Sequence, residues 1–236
     1  MLRANGLGCE RENQVLFSNL TFDVGPGVLF SVSGKNGSGK SSLLKILAGL
    51  CPATSGSVVW EGSPVQPGDP GFLANLLYIG HKLGLQPALS PLQNLKWLLG
   101  LSGSAASGGG METQPDRSPV LDSLQAIDSG TPLDSVESVS SIIQALQTVG
   151  LLGVEDLPCE VLSRGQCQRL VLARLWLNPP KCWILDEPFT ALDDQGKALL
   201  LKRFDTHLSQ GGMIVVASHA QLDFNFSRVE KLYLGA

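Results

Sequence analysis

Residues Gly34-Lys35-Asn36-Gly37-Ser38-Gly39-Lys40-Ser41 follow the apolar run Val28 to Val32 and precede a segment with Leu43, Leu44, Ile46 and Leu47 on one helical face. The octapeptide fits G-x-x-x-x-G-K-[ST] at every fixed position, in the strand-before, helix-after setting that this motif needs. Glycines let the backbone curl until successive N–H groups point inward, and the helix that follows adds its positive end, so the main chain itself becomes an anion site. The expected phosphate cradle is Gly34, Lys35, Asn36, Gly37, Ser38, Gly39, Lys40, Ser41 and Ser42. Lys40 is placed to reach the β- and γ-phosphates, and the Ser41 hydroxyl to ligate Mg²⁺. A chance glycine turn before a helix would leave the downstream acids without a purpose.

Downstream, Cys182-Trp183-Ile184-Leu185 is an apolar run ending in Asp186-Glu187. A parallel strand buried on both faces must be apolar, and ligand-binding residues stand at its carboxyl end. Asp186 is thereby placed to hold Mg²⁺, directly or through water, and Glu187 to orient or deprotonate an attacking water. Alone, an apolar strand ending in two acids is equally a helix-capping arrangement; after a complete phosphate loop the catalytic reading is preferred.

The rest of the pattern alternates strands and helices. Strands are expected over Val15 to Val24, Val28 to Val32, Val58 to Trp60, Cys182 to Leu185 and Met213 to Ala217. Helices are expected after Gly39, from Arg164 to Leu177 and from Gly196 to Leu208. Such alternation implies a largely parallel α/β sheet. Between Leu101 and Ser141, Gly, Ser, Asp and Pro dominate, which reads as a flexible surface insert. It holds six acids and one base, a net of −5, while the remaining residues carry +1 of the chain's −4.

That near-neutral balance excludes the basic surplus of a nucleic-acid binder. Five scattered cysteines, Cys9, Cys51, Cys159, Cys167 and Cys182, form no C-x-x-C pair and read as buried packing residues in a reducing compartment. No run of about 20 apolar residues exists to span a bilayer. His207 reads as a surface residue on the polar side of its helix.

Val161-Leu162-Ser163-Arg164-Gly165-Gln166-Cys167-Gln168-Arg169-Leu170 resembles the L-S-G-G-Q signature of the ABC ATPases. Ala191-Leu192-Asp193 resembles that family's D-loop, and Ser218-His219 after an apolar strand resembles its switch histidine. The resemblance implies a P-loop NTPase cassette with a RecA-like core, an N-terminal antiparallel β subdomain and an inserted α-helical subdomain. Residues 1–82 and 176–236 would form the ATP-binding core of a single domain, and 83–175 the helical subdomain with the insert 101–141. It also implies a head-to-tail homodimer clamping ATP, with Ser163, Gly165 and Gln166 reaching the nucleotide of the opposite subunit and His219 donating to the γ-phosphate. A hydroxyl and free N–H groups at a helix start make an anion contact in their own right.

Three positions depart from the family pattern. Arg164 replaces the first glycine of the signature pair, Arg11 falls near the usual adenine-stacking aromatic, and His81 stands where the coupling-loop glutamine is expected. Tyr78-Ile79-Gly80-His81, the run Leu89 to Leu95, Trp183 to Asp193 and Gly211 to Val215 are similar to the haem exporter ATPases of cytochrome c maturation. That subfamily implies integral membrane partner subunits and a peripheral place on the cytoplasmic face of the inner membrane. It also implies ATP hydrolysis that powers haem export or frees a haem-loaded chaperone. The alternatives are a lipoprotein, drug or peptide exporter subunit, a soluble ABC protein working on DNA or ribosomes, and a regulatory module that no longer hydrolyses ATP. The insert belongs to none of these patterns.

Overall fold

A computed structural model describes residues 1–100, 136–177, 180–218 and 225–235. The chain divides into two compact units, Met1–Leu83 with Pro179–Ala236, and Gly84–Asn178.

The first unit contains two sheets. Strands β1 (Leu2–Arg11), β2 (Gln14–Val24), β4 (Ser55–Trp60) and β5 (Ser63–Pro64) form an antiparallel sheet in the order β2-β1-β4-β5. Glu12 and Asn13, both at positive φ, close the β1–β2 hairpin as a two-residue turn of this hand requires. Strands β3 (Leu29–Gly34), β6 (Leu76–Ile79), β7 (Cys182–Asp186), β8 (Met213–Ala217) and β9 (Val229–Leu234) form a parallel sheet in the order β6-β7-β8-β3-β9. Helix α1 (Lys40–Leu47) places Leu43, Leu44, Ile46 and Leu47 in one core with the inward residues of both sheets. The short helix α2 (Pro70–Leu73) starts on Asp69, whose carboxylate accepts from the Gly71 and Phe72 amides.

Alternation along β7 decides what reaches the nucleotide side. Cys182 and Ile184 belong to the core shared with α1, and Asp186 continues that face. Trp183 projects oppositely, where it meets Phe204 of helix α6 (Asp194–Ser209) edge-on, with ring centroids 6.2 Å apart. His207 also lies there. It is buried, stacks on Trp183 at 3.7 Å and shares a hydrogen bond between Nε2 and the Lys181 carbonyl. The surface placement expected for it is therefore wrong: α6 turns Leu200, Phe204, His207 and Leu208 inward together. Burial pushes the His207 imidazole down to a pKa of about 4.

The second unit is helical. It contains α3 (Pro91–Leu98), α4 (Val136–Thr148), a 3-10 turn at Cys159–Val161, α5 (Arg164–Leu172) and a further 3-10 turn at Ala173–Trp176. Leu95, Ile142, Ala145, Leu146, Val149, Leu151, Cys159, Leu170 and Ala173 form its core. Two differences from expectation stand out. The helix expected to reach Leu177 tightens into 3-10 geometry after Leu172, just before Asn178-Pro179-Pro180, where proline disfavours a helical predecessor. Residues 136–141, expected to belong to the insert, are the first turns of α4. The flexible-insert expectation for 101–135 lies outside the described residues. Of the cysteines, Cys9, Cys159 and Cys182 are buried as expected, whereas Cys51 and Cys167 are half-exposed.

Candidate active site

The phosphate loop leaves β3 at Gly34, whose φ is +152°, and a Cβ there would overlap the Leu234 carbonyl and the Ser38 hydroxyl. Only glycine fits. Gly39, at φ +94°, is the N-cap of α1 and offers no side chain to its first-turn amides. Those amides and the positive end of the helix are thus left for an anion, the arrangement expected of a phosphate site. Ser41 is exposed at the second helical position and Ser42 half-buried beside it. Lys35, Asn36 and Gly37 form the exposed crest of the loop, and Ser38 is half-buried.

Lys40 is buried, at 6% exposure. Its Nζ donates to the Gly34 and Lys35 carbonyls, at 2.8 and 3.0 Å, so the loop's own main chain holds the ammonium in place. The third proton of an ammonium remains for a phosphate oxygen.

Strand register brings the acids to the same edge. Val32 pairs with Ala217 across β3 and β8, and Ala217 pairs with Asp186 across β8 and β7. Loop and carboxylates therefore stand at the carboxyl ends of neighbouring strands, where α/β sheets bind ligands. Asp186 is 4% exposed, and neither carboxylate oxygen has a hydrogen-bond partner among the described residues. A buried carboxylate left this way is costly unless a cation completes it. One carboxylate plus the Ser41 hydroxyl suits Mg²⁺, which takes few protein ligands and completes its shell with phosphate oxygens and water. Consistent with so sparse a donor set, no group of three or more His, Cys, Asp or Glu poised for a metal occurs among the described residues.

Glu187 leaves the strand in left-handed backbone, φ +54°, its amide donating to the Ala217 carbonyl at 3.0 Å. A non-glycine residue in that region costs on the order of 1 kcal/mol, and such strain gathers at functional sites. The Glu187 carboxylate accepts from the Thr190 hydroxyl at 3.4 Å and is partly solvent-open. His81 lies exposed two residues beyond β6, the strand next to β7, and so at the same sheet edge. Ser218 is buried, its amide donating to the Val32 carbonyl, whereas the role expected of His219 falls outside the described residues. Arg11 ends β1 with its guanidinium exposed and directed to the Cys51 sulfur at 3.9 Å.

In the helical unit Ser163 is the N-cap of α5. Its hydroxyl accepts from the Gln166 amide at 3.2 Å, while the Ser163 amide donates to Gln166 Oε1 at 2.8 Å. This reciprocal cap gives the signature a structural use beyond the expected nucleotide contact, one that the S-x-x-Q spacing itself announces. Arg164 is exposed and Gly165 half-exposed at the helix start.

The sequence pattern of the ABC transporter family matches residues 17–190, a span containing the phosphate loop, the signature and the Asp186-Glu187 strand end. This chain belongs to the ABC transporter family. Within the family, the cassette is 42% identical over 223 residues to the cytochrome c biogenesis ATP-binding export protein CcmA of Pseudomonas savastanoi pv. phaseolicola, covering 94% of this chain and 89% of that one. The CcmA proteins of Pseudomonas putida KT2440 and Yersinia pseudotuberculosis are 40% and 38% identical, each over 99% of the cassette and 96% and 93% of their own lengths. At that level the cassette is similar over nearly its whole length to the cytochrome c biogenesis ATP-binding export proteins. A bacterial ABC transporter cassette solved as a dimer superposes with a TM-score of 0.74 at 21% identity, over 99% of this chain and 94% of its own. A putative ABC transporter ATP-binding protein from Pyrococcus furiosus gives 0.70 at 20% identity, over 98% and 96%. The two likenesses establish the cassette fold.

Proposed function

We propose that this cassette is the ATP-hydrolysing subunit of an ABC complex of cytochrome c biogenesis, powering haem export or the release of a haem-loaded chaperone. One observation carries the reading: near-full-length identity of about 40% to the CcmA proteins, in a chain that keeps the phosphate loop and both acids. The unit Met1–Leu83 with Pro179–Ala236 supplies nucleotide binding, and the unit Gly84–Asn178 supplies the signature and the docking surface for integral membrane subunits.

The chemistry assigned to each residue follows from its place. The backbone amides from Gly34 to Ser42 and the Lys40 ammonium bind and orient the phosphates of ATP. Asp186 and Ser41 would hold Mg²⁺, which would supply neutralisation of the phosphates' negative charge. Glu187 orients the attacking water and accepts its proton as the bond from the γ-phosphorus to the leaving ADP oxygen breaks. His219 donates to the γ-phosphate, and His81 senses it at the edge of the same sheet.

Two copies pair head to tail, so that Ser163, Gly165 and Gln166 of one cover the phosphates bound by the other. Capping leaves this possible: the Ser163 oxygen accepts from Gln166, but its hydroxyl proton stays available to donate. With no helix among the described residues long and apolar enough to cross a membrane, attachment to the cytoplasmic face runs through the partner subunits.

Purification of the Glu187→Gln form from native membranes in Mg²⁺-ATP, with mass spectrometry of what accompanies it, tests the assignment. Haem-handling membrane subunits are the expected companions. Recovery of an unrelated permease instead would leave the ATPase chemistry standing and discard the cytochrome c role.

A further inference from the structure

Among the described residues of the second unit, Asn94 is a fully buried polar side chain whose polarity the nucleotide site does not explain. It lies in the first turn of α3. Its Oδ1 accepts from the Gln86 amide at 2.8 Å. Its Nδ2 lies within donating distance of the carbonyls of Gln86 (3.0 Å), Leu89 (3.0 Å) and Ser90 (3.2 Å), and of the Cys159 sulfur at 3.2 Å. An asparagine beside Leu95 in an apolar core costs desolvation that a leucine would avoid, and only such bonds offset it.

The bonds join two segments far apart in sequence. Main-chain bonds complete the junction: the Cys159 amide donates to Leu89, the Glu160 amide to Pro87 and the Leu92 amide to Glu155, at 2.9 to 3.2 Å. The loop 86–90 and the 3-10 turn Cys159–Val161 are therefore one hydrogen-bonded block with Asn94 at its centre. From that turn the chain runs straight into the signature. The Leu162 amide donates to the Cys159 carbonyl, and the Cys167 thiol approaches the same carbonyl at 3.8 Å from the first turn of α5. Ser163 and Arg164 themselves are exposed, so what sets their position is the turn beneath them.

We propose that Asn94 is a positioning residue of the ATPase: by locking Cys159 to the loop 86–90 it fixes the height and direction at which Ser163, Arg164 and Gly165 are presented to the nucleotide of the opposite subunit. The inference rests on the head-to-tail pairing proposed for the cassette. It predicts a defect in trans with binding in cis intact, a separation that a merely stabilising residue would not produce.

The test places Asn94→Ala, and the milder Asn94→Ser that retains one hydroxyl, in the Glu187→Gln form, which holds ATP without turning it over. Three quantities are measured in Mg²⁺-ATP: affinity for the nucleotide, the dimer dissociation constant by light scattering, and amide hydrogen exchange by segment. Exchange over residues 86–90 and 159–166 rises, the dimer constant weakens by about tenfold for the alanine form and less for serine, and ATP affinity stays within about twofold. Unchanged exchange in those segments overturns the clamp. Faster exchange with unaltered dimerisation, or loss of ATP affinity in parallel, overturns its role in presenting the signature. If the Glu187→Gln parent itself stays monomeric, the head-to-tail reading falls and takes the role with it, while exchange still decides the clamp.

Discussion

The proposed chemistry rests on three side chains. Lys40 is buried against two loop carbonyls, so Lys40→Ala removes both the phosphate's ammonium and the brace between Gly34 and Lys35. ATP affinity falls by about 100-fold or more, measurable by calorimetry. Asp186→Asn keeps the shape of a buried carboxylate that has no hydrogen-bond partner among the described residues, but loses its charge. Its ATP binding becomes nearly independent of Mg²⁺ concentration, which a titration with and without chelator reads directly. Glu187→Gln lowers kcat by about 10² to 10⁴ and leaves ATP affinity nearly unchanged, because it removes a proton acceptor rather than a phosphate contact. The gathering of Lys40, Asp186 and Glu187 at one sheet edge was legible in the sequence, since a loop between strand and helix and an apolar strand ending in acids both place these residues at the carboxyl ends of parallel strands. His207 was not. Asp205, Thr206, Ser209 and Gln210 around it are polar, although the spacing Leu200, Phe204, His207, Leu208 was the available signal that it faces inward.

At the scale of elements, the starts of α3 and α5 in the second unit use the same device. Ser90 with Gln93 and Ser163 with Gln166 each form a capping box. Ser163→Ala removes one such cap and costs about 1 kcal/mol of stability, visible as a lower melting temperature without nucleotide. The signature serine is therefore structural before it is functional, which a motif comparison alone does not reveal. In the first unit, on the face of the parallel sheet opposite α1, α6 carries a pH dependence. The His207 imidazole has a pKa of about 4 when folded, against about 6.5 in an unfolded chain, so the unfolded state binds the extra proton over that interval. Stability is full above pH 6.5 and declines as the pH falls toward 4. Urea melts at pH 7.5 and 5 measure the decline, and His207→Leu flattens its slope whatever it does to stability at neutral pH. The start of α4 was illegible because Asp134-Ser135-Val136-Glu137-Ser138 has the composition of a linker, and only its packing through Ile142, Ala145 and Leu146 makes the segment a helix.

At the scale of the whole molecule, the glycine-rich loop and the Asp186-Glu187 strand end belong to one compact unit and the signature segment to the other. The parallel sheet and its carboxyl-edge site followed from strand and helix order, because buried parallel strands leave little choice of where a ligand binds. The bond from Asn94 to Cys159 did not, since nothing in a sequence joins residues 65 positions apart without a structure to bring them together. Arg164, standing at the first glycine position of the L-S-G-G-Q pattern that this segment resembles, adds a positive charge at the exposed start of α5. Dimerisation in ATP consequently weakens with added salt more steeply than in the Arg164→Gly form, as light scattering at several ionic strengths will read. The role proposed for hydrolysis at this site is in cytochrome c assembly. Its most direct test replaces the chromosomal copy with Glu187→Gln and measures covalently bound haem in membrane and periplasmic c-type cytochromes. This haem is lost while haem held non-covalently in other cytochromes stays at its normal level; c-type cytochromes at normal levels in that strain would rule the role out.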